Sequence, residues 1–172
     1  MAAGREAADT LRRLDPEHLG DHLDRLYRAA WALCGSAQDA EDLVQETYAR
    51  VLARPRFLRH DDDLGYLLRV LRNVFVSQWR GKRGRPGTVA IEDEHERIAD
   101  RRVVPPQRSV ETREVYAAIA ALPEHHRDVL VAVDVLGLSY REAAQVLKVR
   151  EGTVMSRLSR ARDGVVRRVD GA

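Results

Sequence analysis

The stretch LSYREAAQVLKVREGTVMSRLSR, residues 138–160, contains two short helical patterns separated by a break at residues 148–150. Ser139 and Glu142 have the spacing of a capping box, in which each side chain bonds an unpaired backbone amide at the start of a helix. Small apolar residues follow in the first pattern, and the second pattern begins near Gly152. Two short helices joined in this way form a helix-turn-helix, whose second helix enters the major groove of DNA.

The second of these helices separates apolar from polar side chains. At 100° per residue the apolar residues fall on one stripe: Val154, Leu158, Ala161, Val165 and Val169. The other face carries short polar and basic residues: Ser156, Arg160 and Arg167, flanked by Thr153 and Ser159. Arginine bonds guanine through two donors, and serine or threonine bonds a base edge or a phosphate. An amphipathic terminal helix with solvated arginines is the alternative, but the capped helix and the short turn before it favour DNA binding.

The composition of the 172-residue chain favours an all-α protein. Aromatic residues make up 5% of the chain and charged residues 33%, and the apolar residues are mostly Leu, Val and Ala. The formal net charge is only +2, so any affinity for nucleic acid depends on local clusters of basic residues. The length allows one domain or two small ones.

The sequence excludes several classes of protein. The single cysteine, Cys34, excludes an internal disulfide and a zinc site built on cysteines, and its place on an apolar helix face predicts a buried thiol. No apolar run approaches the length of a membrane span, and the N-terminus lacks the apolar core of a signal peptide. We therefore expect a soluble, cytoplasmic protein with no membrane partner.

Helical periodicity predicts a first lobe of three helices, residues 17–83. The first helix begins at Pro16, which suits a first helical position, and Gly35 ends it. Ser36 caps the second helix, which Pro55 stops, and a third helix follows. These boundaries predict a small helical bundle.

A second lobe, residues 109–170, contains a helix from Pro123 to Leu136 and then the helix-turn-helix. Between the lobes, residues 84–108 are rich in charge, Gly and Pro, which predicts a flexible linker. The polar residues 1–16 are predicted to be a flexible N-terminus. Lobes of this size bury only about 60% of the surface that their unfolded chains expose, which favours stabilisation by a partner.

Two helical faces of the first lobe carry residues that core packing does not explain. The second helix has a polar ridge formed by Asp39, Asp42, Gln45 and Glu46. A solvated acidic face and a docking surface for a basic partner both fit this ridge. The third helix has a basic edge formed by Arg69, Arg72 and Arg80, next to Trp79. Basic residues beside an aromatic ring suit single-stranded or distorted nucleic acid, although Trp79 could instead close the core.

Residue types that bind metals occur together at the start of the Pro123 helix: Glu124, His125, His126 and Asp128. Adjacent histidines project from a helix in different directions, and the sequence offers no convincing partner cluster. We therefore interpret these four residues as exposed residues of a helix start. No metal site, no catalytic residue and no enzymatic activity are expected.

Three segments in order resemble parts of bacterial sigma factors. SAQDAEDLVQETY, residues 36–48, is similar to the segment that binds core RNA polymerase. YLLRVLRNVFVSQWRGKR, residues 66–83, resembles the adjoining helix that melts the promoter and recognises the −10 element. ALPEHHRDVLVAVDVLGLSYREAAQVLKVREGTVMSRLSRAR, residues 121–162, resembles the domain that recognises the −35 element. The short two-lobe form is similar to the extracytoplasmic-function (ECF) group, and the resemblance extends over residues 19–169.

The resemblance implies an all-α fold of two small domains, a region 2 bundle of three or four helices and a region 4 helix-turn-helix domain. It implies a sigma factor that directs core RNA polymerase to promoters and helps to melt the −10 region. The implied partners are the β′ coiled coil and the β subunit of core polymerase, promoter DNA and an anti-sigma factor. It implies no cofactor.

The resemblance also assigns residues. Those implied to bind core polymerase are Asp39, Asp42, Gln45 and Glu46. Those implied to contact the −10 region are Phe57, Leu58, Arg59, His60, Asp61, Arg72, Asn73, Gln78, Trp79 and Arg80. Those implied to contact the −35 element are Thr153, Met155, Ser156, Arg157, Ser159 and Arg160.

Several residues depart from the family pattern. Lys148 stands where the turn usually has Gly, and Arg150 stands where Pro is common. Met155 replaces a frequent Lys or Arg, which removes a DNA contact and predicts an altered −35 preference. A stand-alone helix-turn-helix regulator that does not act through core polymerase remains the alternative at this point.

Overall fold

The computed structural model describes residues 12–14, 16–53, 57–58, 63–83 and 109–171. These residues are almost entirely helical, so the predicted all-α class is confirmed. Two helical segments depart from α geometry, a 3-10 helix at Pro16–His22 and a π-helix at Val131–Val135. The strands are β1 (Arg12–Arg13) and β2 (Phe57–Leu58), and the α-helices are α1 (Leu23–Cys34), α2 (Ala37–Leu52), α3 (Asp63–Arg83), α4 (Val110–Ala120), α5 (Glu124–Leu130), α6 (Tyr140–Leu147) and α7 (Glu151–Val169).

The turn between α1 and α2 follows from its two central residues. Gly35 adopts a left-handed φ of 74° and donates its N–H to the Trp31 carbonyl at 2.7 Å. Ser36 is extended, and its hydroxyl accepts a hydrogen bond from the Asp39 N–H at 3.3 Å. Glycine has no Cβ to oppose a positive φ, and serine satisfies an amide at the start of a helix. The predicted boundary is confirmed, whereas Cys34, predicted to be buried, is only half-buried.

The first described residues differ from the flexible segment predicted for residues 1–16. Arg12–Arg13 pairs antiparallel with Phe57–Leu58, and Leu14 is buried in the hydrophobic core. Pro16 begins a 3-10 helix rather than the predicted α-helix. A two-residue strand depends on a distant partner for its hydrogen bonds, so the local sequence does not reveal it. The other residues of the predicted N-terminus, and the predicted linker, lie outside the described residues.

The helix predicted from Pro123 to Leu136 changes geometry part-way along. After α5 the chain continues as the π-helix Val131–Val135, in which the Leu136 N–H donates to the Val131 carbonyl at 3.0 Å. Gly137, with a φ of 76°, follows it. The predicted helix is therefore present, but its last part is π-helical, which the sequence did not indicate. A single π turn depends on tertiary packing, and the spacing of apolar residues does not encode it.

Lys148 makes the turn between α6 and α7 in the left-handed conformation, with φ 55° and ψ 45°. Its N–H donates to the Ala144 carbonyl. Among the described residues it is the one non-glycine residue with a positive φ. The left-handed conformation costs a residue with a Cβ roughly 1–2 kcal/mol. Lys148 therefore makes this turn less stable than a glycine at the same position would.

Lys148→Gly is expected to raise the free energy of unfolding by about 0.5–1 kcal/mol, because glycine adopts the left-handed conformation without strain. Urea denaturation followed by circular dichroism measures the change. Gln145→Gly, at an exposed position within α6, is the control and should destabilise by a similar amount. Equal destabilisation by both substitutions would contradict the left-handed geometry of Lys148.

Helix α1 joins the two lobes because five consecutive residues, 29–33, are apolar and so cover every side of the helix. Residues 29–33 are all buried, and Trp31 is only 2% exposed. One side of α1 packs on α2 and α3, and the other side packs on α4 and the π-helix. Trp31 stacks on Tyr116 of α4, with ring centroids 4.4 Å apart and planes 6° apart. The two lobes therefore share one hydrophobic core. Each lobe is packed on the other, which provides the stabilising partner that lobes of this size favour.

No α-helix in the described ranges is both long enough and apolar enough to cross a membrane.

Candidate nucleic-acid and protein interfaces

Helix α7 has the two faces that its sequence predicted. Its buried side chains, Val154, Leu158 and Ala161, pack into the core. On the outer face Met155, Ser156, Ser159 and Arg160 are exposed, and Thr153 and Arg157 are half-buried. All six residues that the sequence assigned to −35 contact thus lie on the helix that follows the turn, outside its buried stripe.

The capping box in front of α7 holds helix α6 in place. The Ser139 N–H donates to Glu142 Oε2 at 2.7 Å, and the Glu142 N–H donates to Ser139 Oγ at 3.2 Å. Hydrogen bonds from Ser139 hold the pKa of the Glu142 carboxyl below its ordinary value. The predicted capping box is confirmed.

Neighbouring arginines of α7 have different surroundings. Arg162 donates two hydrogen bonds to Asp134 of the π-helix, Nη2 to Oδ1 at 2.7 Å and Nε to Oδ2 at 2.9 Å. Arg157 and Arg160 pair with no carboxylate in the part of the chain that the structure describes. Arg162 therefore fixes α7 to its own lobe, and Arg157 and Arg160 keep their donors for another partner.

The arginines of α7 lie near two histidines at the start of α5, which the sequence did not predict. The rings of His125 and His126 meet edge to face, with centroids 4.3 Å apart. Burial lowers the pKa of His126 from its ordinary value, and the nearby His125, Arg160 and Arg157 lower it further. Basic groups this close together repel one another when they are charged, and an anionic partner such as a phosphate would offset that repulsion. The adjacent histidines were visible in the sequence, but their proximity to the arginines of α7 could not be predicted because the two groups lie far apart along the chain.

The polar ridge of α2 faces away from the core. Asp42 and Gln45 are exposed, and Asp39 and Glu46 are half-buried. The opposite side of α2 is buried through Ala40, Leu43, Val44, Thr47 and Val51. Glu46 accepts a hydrogen bond from Arg50 Nε at 2.6 Å, one turn away. The structure thus places the ridge on the surface, where a basic partner has access to it.

The residues predicted to contact the −10 region are described only in part. Asn73 and Gln78 are exposed on α3, and Arg72 is 35% exposed. Trp79 and Arg80 lie in the last part of α3, and Phe57 and Leu58 form β2. The loop residues of this set lie outside the described residues: Arg59, His60 and Asp61.

Arg72 contacts the second lobe and stays partly exposed to solvent. Its Nε donates to Asp128 Oδ2 at 2.6 Å, and its Nη2 donates to Glu124 Oε1 at 2.9 Å. Arg127, next to Asp128, lies over the Phe75 ring of α3, with its guanidinium carbon 5.2 Å from the ring centroid. The N-terminal end of α5 and the middle of α3 are thus joined by charge and by a cation–π contact.

The interpretation of Asp128 as an exposed helix-start residue is wrong, because it is only 7% exposed. Burial raises the pKa of its carboxyl above the ordinary value, and Arg72 and Arg127 oppose that shift. A buried carboxylate is costly unless it is paired, and Arg72 supplies the pair. The partner is 56 residues away along the chain, so the local pattern did not reveal it. No group of three or more metal-binding residue types could hold a metal ion in the described part of the chain.

Comparison with known proteins decides the family. Residues 19–85 match the family model of sigma-70 region 2, and residues 112–163 match that of sigma-70 region 4. The ECF RNA polymerase sigma factor SigE of Mycolicibacterium smegmatis is 36% identical over 85% of this chain and 58% of that protein. The ECF RNA polymerase sigma factor EcfG of Rhodopseudomonas palustris is 35% identical over 83% of this chain and 79% of that protein. The chain belongs to the ECF sigma factors.

A solved structure extends this assignment to the fold. The sigma factor RpoE from Bartonella quintana, in complex with the anti-sigma factor NepR, has a TM-score of 0.68 with this chain. That similarity covers 90% of this chain and 95% of that chain at 28% identity. This ECF sigma factor spans less than two thirds of the length of its SigE relative. Sigma factors are not a class of enzymes.

The ECF sigma factor also has an open apolar groove that the sequence did not predict. Its volume is about 590 Å³, and it lies between α4, the π-helix and α7. The apolar residues that line it are Val115, Tyr116, Ile119, Leu130, Val135, Val165 and Val166. Apolar lining suits protein side chains rather than DNA phosphates, so this face differs in chemistry from the outer face of α7.

Proposed function

We propose that this ECF sigma factor binds core RNA polymerase through α2, recognises the −35 element with α7, and uses α3 and the residues before it to engage the −10 region. The observation that carries the proposal is the arrangement of α6, the Lys148 turn and α7. That arrangement presents an exposed polar and basic helix face opposite a buried apolar stripe. A helix held in this way fits the major groove of DNA.

On the −35 side, the outer face of α7 supplies both kinds of contact that groove recognition needs. Arg160 and Arg157 can bond guanine or phosphate, and Ser156 and Ser159 can bond base edges or phosphate. Thr153 lies at the start of the helix, where residues reach base edges first. Met155 is 55% exposed and donates no hydrogen bond, so its contact with DNA is apolar.

Met155→Arg is expected to strengthen binding to −35 duplex DNA because it adds one phosphate contact. For the same reason the fall of log affinity with log salt should become steeper by about one. Fluorescence anisotropy over a range of salt concentrations measures both quantities. Met155→Leu, which keeps the apolar surface and adds no charge, should leave the slope unchanged. An unchanged slope in Met155→Arg would place this residue away from the DNA.

On the −10 side, exposed residues of α3 form the support for the proposal. Asn73 and Gln78 are exposed along the helix that continues to Trp79 and Arg80. Exposed amide side chains bond base edges, and aromatic rings stack on unpaired bases. We assign the capture of an extruded base to the loop before α3, at residues 57–61. Extruding a base costs a few kcal/mol of lost stacking, which these contacts would offset.

For core polymerase, the ridge of α2 supplies a surface of negative charge and amide groups. We assign Asp42, Gln45 and Glu46, with Asp39, to contact with the β′ coiled coil. Their exposure and their separation from the buried side of α2 support this assignment. Complementary charge across such an interface raises the rate and the specificity of association.

An anti-sigma factor is a further proposed partner. The RpoE structure from Bartonella quintana contains the anti-sigma factor NepR, and the sharing of fold supports a partner of that kind here. Because the proposed partners are RNA polymerase and promoter DNA, we place the action of this protein in the cytoplasm. We assign it no catalytic activity of its own.

Transcription in vitro tests the proposal. Purified protein added to core polymerase is expected to start transcription at a promoter with −35 and −10 elements, mapped beforehand from transcripts that appear on overexpression. A protein that binds duplex DNA tightly without core and never forms an open complex with it would be a stand-alone regulator, and the proposal would fail.

A further inference from the structure

Arg72 is the residue at which the two proposed functions of the molecule meet. It lies on α3 beside Asn73, in the set assigned to the −10 region. Its Nε and Nη2 donate to Asp128 and Glu124 of the other lobe, at 2.6 and 2.9 Å. Carboxylate oxygens occupy these donors in the geometry that phosphate oxygens would use. Arg72 therefore cannot hold both acidic partners and the DNA backbone through the same donors.

The acidic partners sit in a cleft that has no room for DNA. The cleft is about 170 Å³ in volume. Its lining includes Arg72 of the first lobe and Glu124, His125, Asp128 and Arg157 of the second lobe. A cleft of this size holds water molecules but excludes a DNA strand. Nε and Nη2 of Arg72 can therefore meet a phosphate only after they leave Asp128 and Glu124.

The lobes are closely packed on both sides of this cleft. Trp31 and Tyr116 stack at the contact of α1 with α4. A Cβ placed on Gly35 would lie 3.0 Å from the Cβ of Ala120, so the backbones approach closely there. The guanidinium of Arg127 lies over Phe75 at the contact of α5 with α3. Separation of the lobes therefore disrupts defined contacts, among them the ion pairs of Arg72.

Asp128 differs from its neighbour Glu124 in burial, and this difference identifies the stronger of the two partners. Asp128 is 7% exposed, whereas the Glu124 side chain is 60% exposed. An exposed ion pair contributes little, while a buried carboxylate depends on its partner. Asp128 is thus the main anchor of Arg72, and Glu124 is an accessory.

We propose that Asp128 and Glu124 are positioning residues that hold Arg72 away from promoter DNA, so that the first lobe binds the −10 strand fully only when the second lobe has moved away. This inference rests on the proposed assignment of Arg72 to the −10 region. The packed form is then a form with low affinity for DNA. Core polymerase, which draws the two lobes to separate promoter elements, releases Arg72.

A pair of matched variants tests the inference. Asp128→Asn removes one negative charge and the ion pair across the lobes. Asp134→Asn removes one negative charge and the ion pair with Arg162 within the second lobe. The probe is a short single-stranded DNA of thymidine nucleotides, added without core polymerase, and fluorescence anisotropy measures its affinity. Asp128→Asn is expected to bind roughly tenfold more tightly than wild type, because more of the chain is in the binding-competent form, and Asp134→Asn is expected to equal wild type.

Two further variants separate this mechanism from a general effect of charge or folding. Arg72→Ala/Asp128→Asn should lose the gain, because the gain acts through the Arg72 guanidinium. Glu124→Gln alters an exposed residue that the fold does not need, and should give a smaller gain in the same direction. Small-angle X-ray scattering should show a larger radius of gyration for Asp128→Asn than for Asp134→Asn.

Two results would overturn the inference. One is equal DNA affinity of Asp128→Asn, Glu124→Gln and Asp134→Asn, and the other is a gain in Asp128→Asn that survives the loss of Arg72. Either result, with wild type still starting transcription when core polymerase is added, leaves the proposed function intact. If wild type fails to start transcription with core polymerase, the proposed function itself is wrong.

Discussion

The double variant Asp42→Arg/Glu46→Arg is expected to lose binding to core RNA polymerase by about a hundredfold or more. The proposed partner of the α2 ridge is basic, and like charges placed opposite each other across an interface cost several kcal/mol, with each 1.4 kcal/mol equal to a factor of ten. Both positions lie on the outer side of α2, away from its buried residues. Titration of fluorescently labelled protein with core polymerase measures the change.

The fold should survive this substitution. Glu46 pairs with Arg50 in the wild type, so the variant exchanges an attraction one turn apart for a repulsion that costs roughly 0.2–0.5 kcal/mol. The matched control is Asp24→Arg/Glu114→Arg, which makes the same change of net charge at exposed positions on α1 and α4. The control should bind core polymerase like wild type. Equal loss in both variants would show that overall charge, and not the ridge, controls binding.

Arg160→Ala is expected to weaken binding to −35 duplex DNA by about 1–3 kcal/mol, the amount that one bidentate arginine–guanine contact contributes. Transcription that depends on the −35 element should fall with it. Arg160 is exposed on the outer face of α7 and pairs with no carboxylate among the described residues. Binding to promoters with single base changes in the −35 element shows the kind of contact. Loss of discrimination at one base pair identifies a base contact, whereas uniform weakening with a lower salt slope identifies a phosphate contact.

Arg162→Ala is the control for this prediction, two residues further along the same helix. Its side chain is held by Asp134, so its removal should lower stability slightly and leave −35 discrimination unchanged. A second measurement follows from the neighbours of Arg160. Because Arg160 contributes to the lowered pKa of His126, Arg160→Ala should move that pKa upward, as followed by NMR titration. An unchanged affinity for −35 duplex DNA and an unchanged salt slope in Arg160→Ala would remove this residue from the recognition surface.

The sequence predicted the second lobe well where the signals were local. Ser139 and Glu142 predicted the capping box because both partners lie within one helical turn. Val154, Leu158 and Ala161 predicted the buried stripe of α7 because helical spacing alone determines which side chains share a face. The same local rules failed at the π-helix, whose geometry depends on the elements packed against it.

The packing of one lobe on the other was predictable only in part. Helical spacing places Leu26, Ala30 and Leu33 on one stripe of α1, but Ala29, Trp31 and Ala32 outside that stripe are also buried. A helix that is apolar all round is buried all round, so this run did contain the signal for a second packing partner. The Arg72 contact with Asp128 joins residues far apart in sequence, and no spacing rule connects them. The residue roles in core polymerase and promoter binding came from resemblance and remain predictions.

The doubly packed α1 has a consequence for the response of this protein to temperature. Any separation of the lobes exposes to water the side of α1 that carries Trp31, together with the ring of Tyr116. Exposure of apolar surface carries a positive heat-capacity change, so the free energy of separation is a curved function of temperature. Apolar attraction weakens on cooling, and the separated form therefore becomes relatively easier to reach in the cold. Access of this sigma factor to its promoters is thus expected to vary with growth temperature even when its concentration is constant.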